Sequence, residues 1–391
     1  MRVLLVHNRY QNPGGEDLVF EAEQALLREA GHEVLVHERH NDEIAGYTPL
    51  QRLALAGSTI WGRQSRRRLL SLLRRERPQL AHFHNTFPLI SPAAYLACRD
   101  AGVPVVQTLH NFRLLCPNAL LHRDGRPCED CLGRTVPWPG VQHGCYRGSR
   151  GQSAVVALML ASHRLLGTWR GAVDAYVALS ENARRAFVRG GLPAGRIHVK
   201  PNFLARDPGP AGAAGRGALF AGRLVPEKGA ELLLSAWRQL AGHPLTLLGD
   251  GPQRPLVQRL AGELDGVRHG GQVTPQQVLQ AMREAAFVVI PSTWYEGFPM
   301  VLLQAYACGR PVLAARIGAL PELVREGETG LLFEPGDAAD LADKARHLLT
   351  SGRDAELMGR VARRVFEARY SARANLQRLL QIYRAAGAQL Q

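Results

Sequence analysis

The sequence predicts an α/β chain of two doubly wound parallel-sheet domains, and three observations carry that expectation. Short apolar, β-branched runs alternate with segments of helical periodicity, the pattern of buried parallel strands joined by crossover helices. A Pro-, Gly- and Ala-rich stretch without periodicity, 204–217 (LARDPGPAGAAGRG), interrupts the alternation and reads as an interdomain linker. Beyond it the alternation starts again.

In order, MRVLLVH (1–7) reads as a strand, 14–31 as a loop and amphipathic helix, and HEVLVHE (32–38) as a second strand, a βαβ opening. QLAHFH (79–84), VPVVQTL (103–109), DAYVALS (174–180) and RIHVKPN (196–202) are further short apolar strands. After the linker, GALFAG (217–222), PLTLLG (244–249), AFVVI (286–290), PVLAA (311–315) and TGLLF (329–333) supply a second sheet, and helices over 337–349 and 355–385 close the chain. The expected division is a first domain over 1–205 with a Cys-rich insertion at 113–150, a second over 206–370, and a terminal helix from 371.

At 391 residues, with 46% hydrophobic and 21% charged content, the chain can bury two full cores and is not of the disordered class. The longest apolar run, Ala154 to Ala161, stops at Ser162, His163 and Arg164, well short of the ~20 residues of a membrane span. The opening strand is too short for a signal peptide, so a cytoplasmic location is expected. The net charge is +14, and the excess of the first half concentrates in Trp61 to Pro78, where Leu69, Leu70, Leu72 and Leu73 alternate with seven arginines along a helix. Such a helix can lie on an anionic membrane as a peripheral contact, or simply be a solvated basic face. The run lacks interleaved aromatics and any nucleic-acid motif, so nucleic acid is not an expected partner.

The chemistry concentrates at PSTWYEGFPMVLLQAYACGRPV (291–312). A buried strand ends at Pro291 and Ser292, a loop carries Glu296, and Val301, Leu302, Ala305 and Tyr306 recur at helical spacing. The amides near Met300 and Val301 then sit at a helix N-terminus, where phosphate binds. Gln304 lies roughly two helical turns beyond Glu296, far enough for each to meet one end of a ligand. AGRLVPEKG (221–229) follows another strand and sets Arg223 and Lys228 in a loop opening a helix. Two cations there can grip a diphosphate and stabilise its charge as it leaves. Lys200, Lys228 and Lys344 are the only lysines in an arginine-rich chain, so each marks a place where a compact ammonium is suited.

EGFPMVLLQAYACGRPV resembles the Glu-x7-Glu signature of the retaining glycosyltransferases of family 4, which have the GT-B fold of two Rossmann-like domains facing across a cleft. The resemblance implies a metal-independent transfer of a sugar from a nucleoside-diphosphate sugar to a polysaccharide precursor or lipid-linked acceptor, with no cofactor required for catalysis. It implies that Glu296 meets the donor sugar, that Arg223 and Lys228 hold the diphosphate, and that Gly297, Phe298, Met300 and Val301 complete the donor pocket. The second glutamate of the signature, which meets the ribose, is Gln304 here. Gly249 and Gly251 of GDGP correspond to a stretch near the base, and Asn202 with Lys200 to the hinge. His110, in QTLHNFRLLCP, corresponds to a histidine near the transferred sugar and is carried over as catalytic. The resemblance further implies a terminal helix that returns to the first domain. No nucleophile is assigned, because a front-face transfer assisted by the leaving phosphate is the usual alternative to a covalent one.

In the first half, the amides of Gly14 and Gly15 between strand and helix can meet phosphate or acceptor. His84 and Arg113 are the candidate acceptor contacts. No G-x-G-x-x-G is present, which argues against a dinucleotide site. Cys116, Cys128, Cys131 and Cys145 form C-x11-C-x2-C-x13-C, a spacing suited to structural zinc, with disulfides or unliganded thiols as the competing readings. Two other functions remain open at this level: a nucleotide-sugar-binding GT-B protein that has lost catalysis, raised by Gln304, and a GT-B nucleotide-sugar epimerase.

Overall fold

The computed structural model describes residues 1–11, 14–212 and 214–388. It divides into two compact units, one of Met1–Arg123, Cys128–Pro201 and the chain from Asn375 onward, the other of Asp124–Pro127 and Asn202–Ala374.

The first unit holds β1 (Arg2–Arg9), β2 (Glu33–His40), β3 (Leu80–Phe83), β4 (Val105–Leu109), β7 (Ala175–Ala178) and β8 (Ile197–Val199), all parallel, in the order β2-β1-β3-β4-β7-β8. Between β4 and β7, β5 (His122–Arg123) and β6 (Arg126–Pro127) form a two-stranded ribbon. Its two-residue turn, Asp124-Gly125, has φ of +51° and +77°, the conformation that Asp-Gly favours between antiparallel strands. β3, β4 and β7 are buried throughout, as a sheet covered on both faces requires. The helix Ala372–Ala385 supplies Leu379, Ile382 and Tyr383 to the same core as Val3, Leu5 and Phe20.

The second unit holds β9 (Ala218–Ala221), β10 (Leu245–Leu248), β11 (Val267–Gly271), β12 (Phe287–Ile290), β13 (Val312–Ala315) and β14 (Gly330–Phe333), in the order β11-β10-β9-β12-β13-β14. The strands stay parallel, but the side on which the chain adds successive strands switches between β9 and β12, and in the first unit between β1 and β3. In open parallel sheets ligands bind beyond the carboxyl ends of the strands at such reversals.

The expected strands form within two residues of their predicted ends, except that the one over 196–202 ends at Val199, and three elements differ further. β11 has no apolar run because it is the sheet edge, with alternate residues half-buried and exposed. The single helix expected over 355–385 is two, Gly352–Arg369 and Ala372–Ala385. Between them the buried Tyr370 packs edge-to-face on Phe298 at 5.4 Å, and Ser371 makes a β-bridge to Leu204, so tertiary contacts break a helix whose local periodicity continues. The Cys-rich insertion, to which no strand or helix is assigned from sequence, contains the ribbon and a short helix, Trp138–Gln142.

The Arg-rich segment forms the helix Arg63–Glu76. Leu69 and Leu73 are buried and the helix lies against Ala93–Asp100. Its apolar stripe therefore serves the core, leaving Arg63, Arg67, Arg68, Arg74 and Arg75 exposed. Among the described residues no helix is long and apolar enough to cross a membrane.

Candidate functional site

Two loops meet at the strand reversal of the second unit, and glycines decide how closely. The turn Pro226–Lys228 ends at Gly229, whose φ is +73°. A Cβ there would stand 1.9 Å from the Pro291 carbonyl oxygen, so only glycine lets this turn dock on the end of β12. The amide of Thr293 donates to the Glu227 carbonyl at 3.0 Å and locks the same contact. On the far side of the Glu296 loop, Gly318 (φ +60°) approaches so closely that a Cβ would lie 2.9 Å from Tyr295 Cα.

This framing brings Lys228 Nζ to 2.6 Å from Glu296 Oε1. Ser292 Oγ at 2.7 Å and Trp294 Nε1 at 3.0 Å donate to that same oxygen, and Lys228 also stands 5.3 Å over the Trp294 ring. Three donors therefore converge on Oε1, and Oε2 has no donor among the described residues. The carboxylate is almost wholly buried, with the side chain of Glu296 5% exposed and that of Lys228 23%. Such a pair in low dielectric is held in one geometry, with one acceptor oxygen left to offer.

The helix Met300–Ala307 follows, preceded by Pro299 and with no side chain capping its N-terminus. The first amides, at Met300 and Val301, thus keep their donors open, aligned with the helix dipole. Gln304 is half-buried on this helix, and Arg223 stands exposed beyond β9. Gly297 is half-buried, whereas Phe298 is in the core and its carbonyl accepts from Asn202 Nδ2 at 3.3 Å. Asn202 keeps a buried Oδ1 with no partner among the described residues. Gly249 and Gly251 serve the fold directly: their missing Cβ atoms would stand 1.8 Å from the Gly222 oxygen and 2.5 Å from the Leu224 oxygen. GDGP is a close-approach turn against the loop after β9.

In the first unit the strand reversal is filled by a buried polar network. Lys200 Nζ donates to Glu23 Oε1 at 2.5 Å and to Asn375 Oδ1 at 3.3 Å, and both Lys200 and Glu23 are 0% exposed. Glu23 Oε2 lies 3.4 Å from His84 Nε2, without hydrogen-bond alignment. His84 Nδ1 is 2.9 Å from His110 Nε2, while His82 pairs with the Tyr383 hydroxyl and Thr108 Oγ1, each at 2.8 Å. Burial drives the Glu23 carboxyl up, but Lys200, His84 and His82 outweigh it and hold it well below the usual range. Burial, then the charge of His84, holds His110 well below its ordinary value, so it is neutral. A carboxylate facing His84 Nε2 favours the proton on that atom, which leaves His84 Nδ1 to accept from His110 Nε2–H. His110 Nδ1 is then an acceptor, with no partner among the described residues.

This arrangement corrects several expectations. His84 is 3% exposed, so it reaches a ligand only through His110. Arg113 is committed within its own unit: it donates to the Pro117 carbonyl and lies over the rings of Phe87 and Tyr146 at 4.5 and 5.1 Å. The amide of Gly14 donates to Asp17 Oδ2 at 2.7 Å, and Asp17 Oδ1 holds His7 Nε2 at 2.8 Å, so that amide is occupied, while Gly15 is exposed. Lys200 is a buried partner of Glu23. Sequence reasoning missed Ser292, Trp294, Gly229, Gly318, Glu23 and Glu16. Glu16 takes a hydrogen bond from Asn111 Nδ2 at 3.0 Å, and burial followed by the charge of Asp17 pushes its carboxyl up to about 8.

Among the described residues, the metal-type cluster whose ligand atoms all lie within 4.8 Å of one another is Glu23, His82 and His84. The Lys200 ammonium already sits on that carboxylate, which disfavours a second cation there. No three of the four insertion cysteines reach this mutual spacing, although Cys131 lies within electrostatic range of Cys116, Cys128 and Cys145.

Comparison with known proteins places these features in a family context. Residues 215–351 match the family described as Glycosyl transferases group 1, and residues 14–207 match Glycosyltransferase Family 4. The chain is similar to D-inositol 3-phosphate glycosyltransferase of Acidothermus cellulolyticus, 31% identical over 325 residues, 78% of this chain and 66% of that protein. It thus spans just under two thirds of that relative's length. It is also similar to alpha-D-kanosaminyltransferase of Streptomyces kanamyceticus, 27% identical over 388 residues and 91% of each chain. Among solved structures, Anabaena HepE in complex with UDP-glucose matches with a TM-score of 0.67 at 18% identity, over 98% of this chain and 100% of that one, a likeness of fold.

Proposed function

Because the chain belongs to the group 1, family 4 glycosyltransferases of the GT-B fold, we propose that it transfers a sugar from a nucleoside-diphosphate donor with retention of anomeric configuration. The acceptor class we assign is a polysaccharide precursor or lipid-linked glycan. The observation that carries this reading is the Lys228–Glu296 pair beside the uncapped helix at Met300. A diphosphate has a lysine and open helix amides to meet, and a sugar hydroxyl has the unused Oε2 of Glu296. Fixed cations at the leaving diphosphate stabilise charge that grows in the transition state, the task a metal performs in other transferases. His110, neutral and with Nδ1 accepting, is suited to orient a sugar hydroxyl; a sugar-binding role in the first unit rests on that atom. The UDP-glucose carried by HepE makes a uridine donor the first to try.

Incubating the protein with UDP-, GDP- and ADP-sugars and membrane extract tests the reading through nucleotide release that depends on acceptor. NMR of the purified product then reports anomeric configuration. Inversion would refute the retaining assignment, tight donor binding without turnover would favour a binding protein, and donor conversion without acceptor an epimerase.

Gln304 keeps one acceptor oxygen for a ribose hydroxyl but lacks the charge of a glutamate. Gln304→Glu is expected to tighten donor binding by about tenfold, in line with a charge-assisted hydrogen bond replacing a neutral one. Calorimetric titration with the donor measures it; an unchanged affinity removes Gln304 from the ribose.

The exposed arginines of Arg63–Glu76 support peripheral contact with the anionic face of a membrane, worth about 1 kcal/mol per basic side chain near the surface. Because Leu69 and Leu73 are core residues, the contact is electrostatic. Co-sedimentation with phosphatidylglycerol vesicles is expected at low salt and to vanish at 0.5 M salt or on neutral phosphatidylcholine (order-of-magnitude screening, about 4 Å Debye length). Binding that persists on neutral vesicles would contradict it.

A further inference from the structure

We propose that Cys116, Cys128, Cys131 and Cys145 form a structural zinc site that braces the segment following His110. Cys131 lies within electrostatic range of the other three, and the arms carrying Cys116, Cys131 and Cys145 each meet the turn 137–141. Cys131 Sγ is 3.8 Å from the Pro137 carbonyl, and the Gly140 amide donates to that same carbonyl at 3.1 Å. Cys145 donates its amide to the Gly140 carbonyl at 2.9 Å. Gly140 is itself in contact with the arm carrying Cys116: a Cβ there would stand 2.6 Å from Pro117 Cγ, so a side chain would push this arm away. Cys128 completes the set as the first member of Cys128-Glu129-Asp130-Cys131, and its own amide donates to the Leu121 carbonyl at 2.8 Å.

Leu132 closes back on the Glu129 carbonyl at 2.8 Å, and Gly133 turns the chain at φ +74°. The Cys128–Cys131 pair is thereby a tight knuckle, the usual form of one half of a four-cysteine site. The other half is split between Cys116 and Cys145, which lie on arms joined through Gly140.

Charge agrees with this assignment. Four thiolates on one Zn2+ leave a net charge of −2, and two guanidiniums stand within electrostatic range of the sulfurs: Arg123 near Cys128 and Cys145, and Arg164 near Cys131. Arg164 is held in place by the carbonyls of Leu114, Arg134 and Thr135. Binding releases the thiol protons to solvent, up to four per metal. A filled tetrahedron with Zn–S of ~2.3 Å sets its sulfurs about 3.8 Å apart; no three of these sulfurs now lie within 4.8 Å of one another, so the set has to draw together to hold the metal.

The segment has reason to need such a brace. Between Arg113 and Ser149 the regular structure is one small ribbon and a five-residue helix, too little to order so long a connection by itself. It also adjoins the first-unit site: Phe112 donates to the Ala119 carbonyl at 3.0 Å, Cys116 to the Phe112 carbonyl at 2.9 Å, and Arg113 lies over Tyr146, next to Cys145. A metal here would hold the chain leaving His110.

The full chain, purified under reducing conditions without added metal, is expected to carry about one zinc per molecule by plasma mass spectrometry. A mercurial thiol reagent should release that zinc, detected with a metallochromic dye. Replacing zinc with Co2+ should give sulfur-to-cobalt charge-transfer and tetrahedral d–d bands, a readout independent of activity and of any variant. Cys128→Ser combined with Cys131→Ser should abolish the bands, while Cys308→Ala, in the other unit, should keep them. Folded protein with under a tenth of an equivalent of zinc that takes up no Co2+ would overturn the proposal. So would iron in place of zinc, or a disulfide among these four cysteines in the reduced preparation. Failure of this site leaves the glycosyltransferase reading intact, since that reading is tested by acceptor-dependent nucleotide release.

Discussion

Lys228→Ala is expected to lower kcat/KM for sugar transfer about 10²- to 10³-fold, the loss of about 2.7–4 kcal/mol that follows removal of a preorganised group from a developing anion. The ammonium acts in a partly dry setting, against a carboxylate 5% exposed, where a fixed charge does more than in water. Ser292 and Trp294 continue to donate to Glu296 Oε1 in the variant, so the loop should keep its shape and the effect should be one of charge. Glu296→Gln asks the complementary question, since it keeps the size and removes the charge. We expect a similar loss of rate with little change in melting temperature. Steady-state kinetics beside thermal denaturation separates the two, and a fall of less than threefold in either variant would remove that residue from the reaction.

Glu23→Gln is expected to destabilise the protein by about 3–5 kcal/mol, because it leaves the Lys200 ammonium buried without its counter-charge. Lys200→Met should cost a similar amount, and the double variant should recover much of the loss if the pair rather than either residue is at stake. Denaturant titrations measure all three, and a single-variant cost below about 1 kcal/mol would refute the account. The network also sets the response to acid. His82, His84 and His110 are held below their ordinary 6.5 by burial first. The unfolded chain takes up protons that the folded one refuses, so stability falls as pH drops below 6.5. Glu23 is held below its ordinary 4.5. Its contribution is present above 4.5 and is lost as pH falls through the folded value. Chemical denaturation should therefore become easier in two stages, one as pH falls below 6.5 and one as it falls below 4.5, and Glu23→Gln should flatten the lower one.

The same two sites show how far local pattern reaches. Strands such as AFVVI and PLTLLG declared themselves by composition and length, because a strand buried on both faces must be apolar along its whole run. β11 did not, because an edge strand is free of that requirement. In the second unit, Glu296, Lys228 and the helix start at Met300 were legible as residues and spacings around strand ends. Ser292 and Trp294 were not, since nothing in a serine or tryptophan beside a strand end tells which oxygen it will serve. The histidines drew notice, His110 through the resemblance and His84 as a candidate acceptor contact, but only packing showed that His84 is hidden and that His110 Nδ1 has no partner among the described residues. The helix over 355–385 read as continuous because periodicity is local, whereas its break at Tyr370 comes from a contact with Phe298.

The sequence by itself determined the fold class, the alternation of strands and helices, and the loops that bear chemistry, since these follow from composition, periodicity and turn residues within a few positions of one another. Tertiary structure alone decided which side chains meet. Lys228 and Glu296 are 68 residues apart in the chain, and Lys200 and Glu23 are 177 apart. Their pairing depends on strand order and on close approaches such as Gly229 against Pro291. The physical reason is range: periodicity records which face of an element is buried, whereas a charge pair depends on the three-dimensional path of everything between its partners.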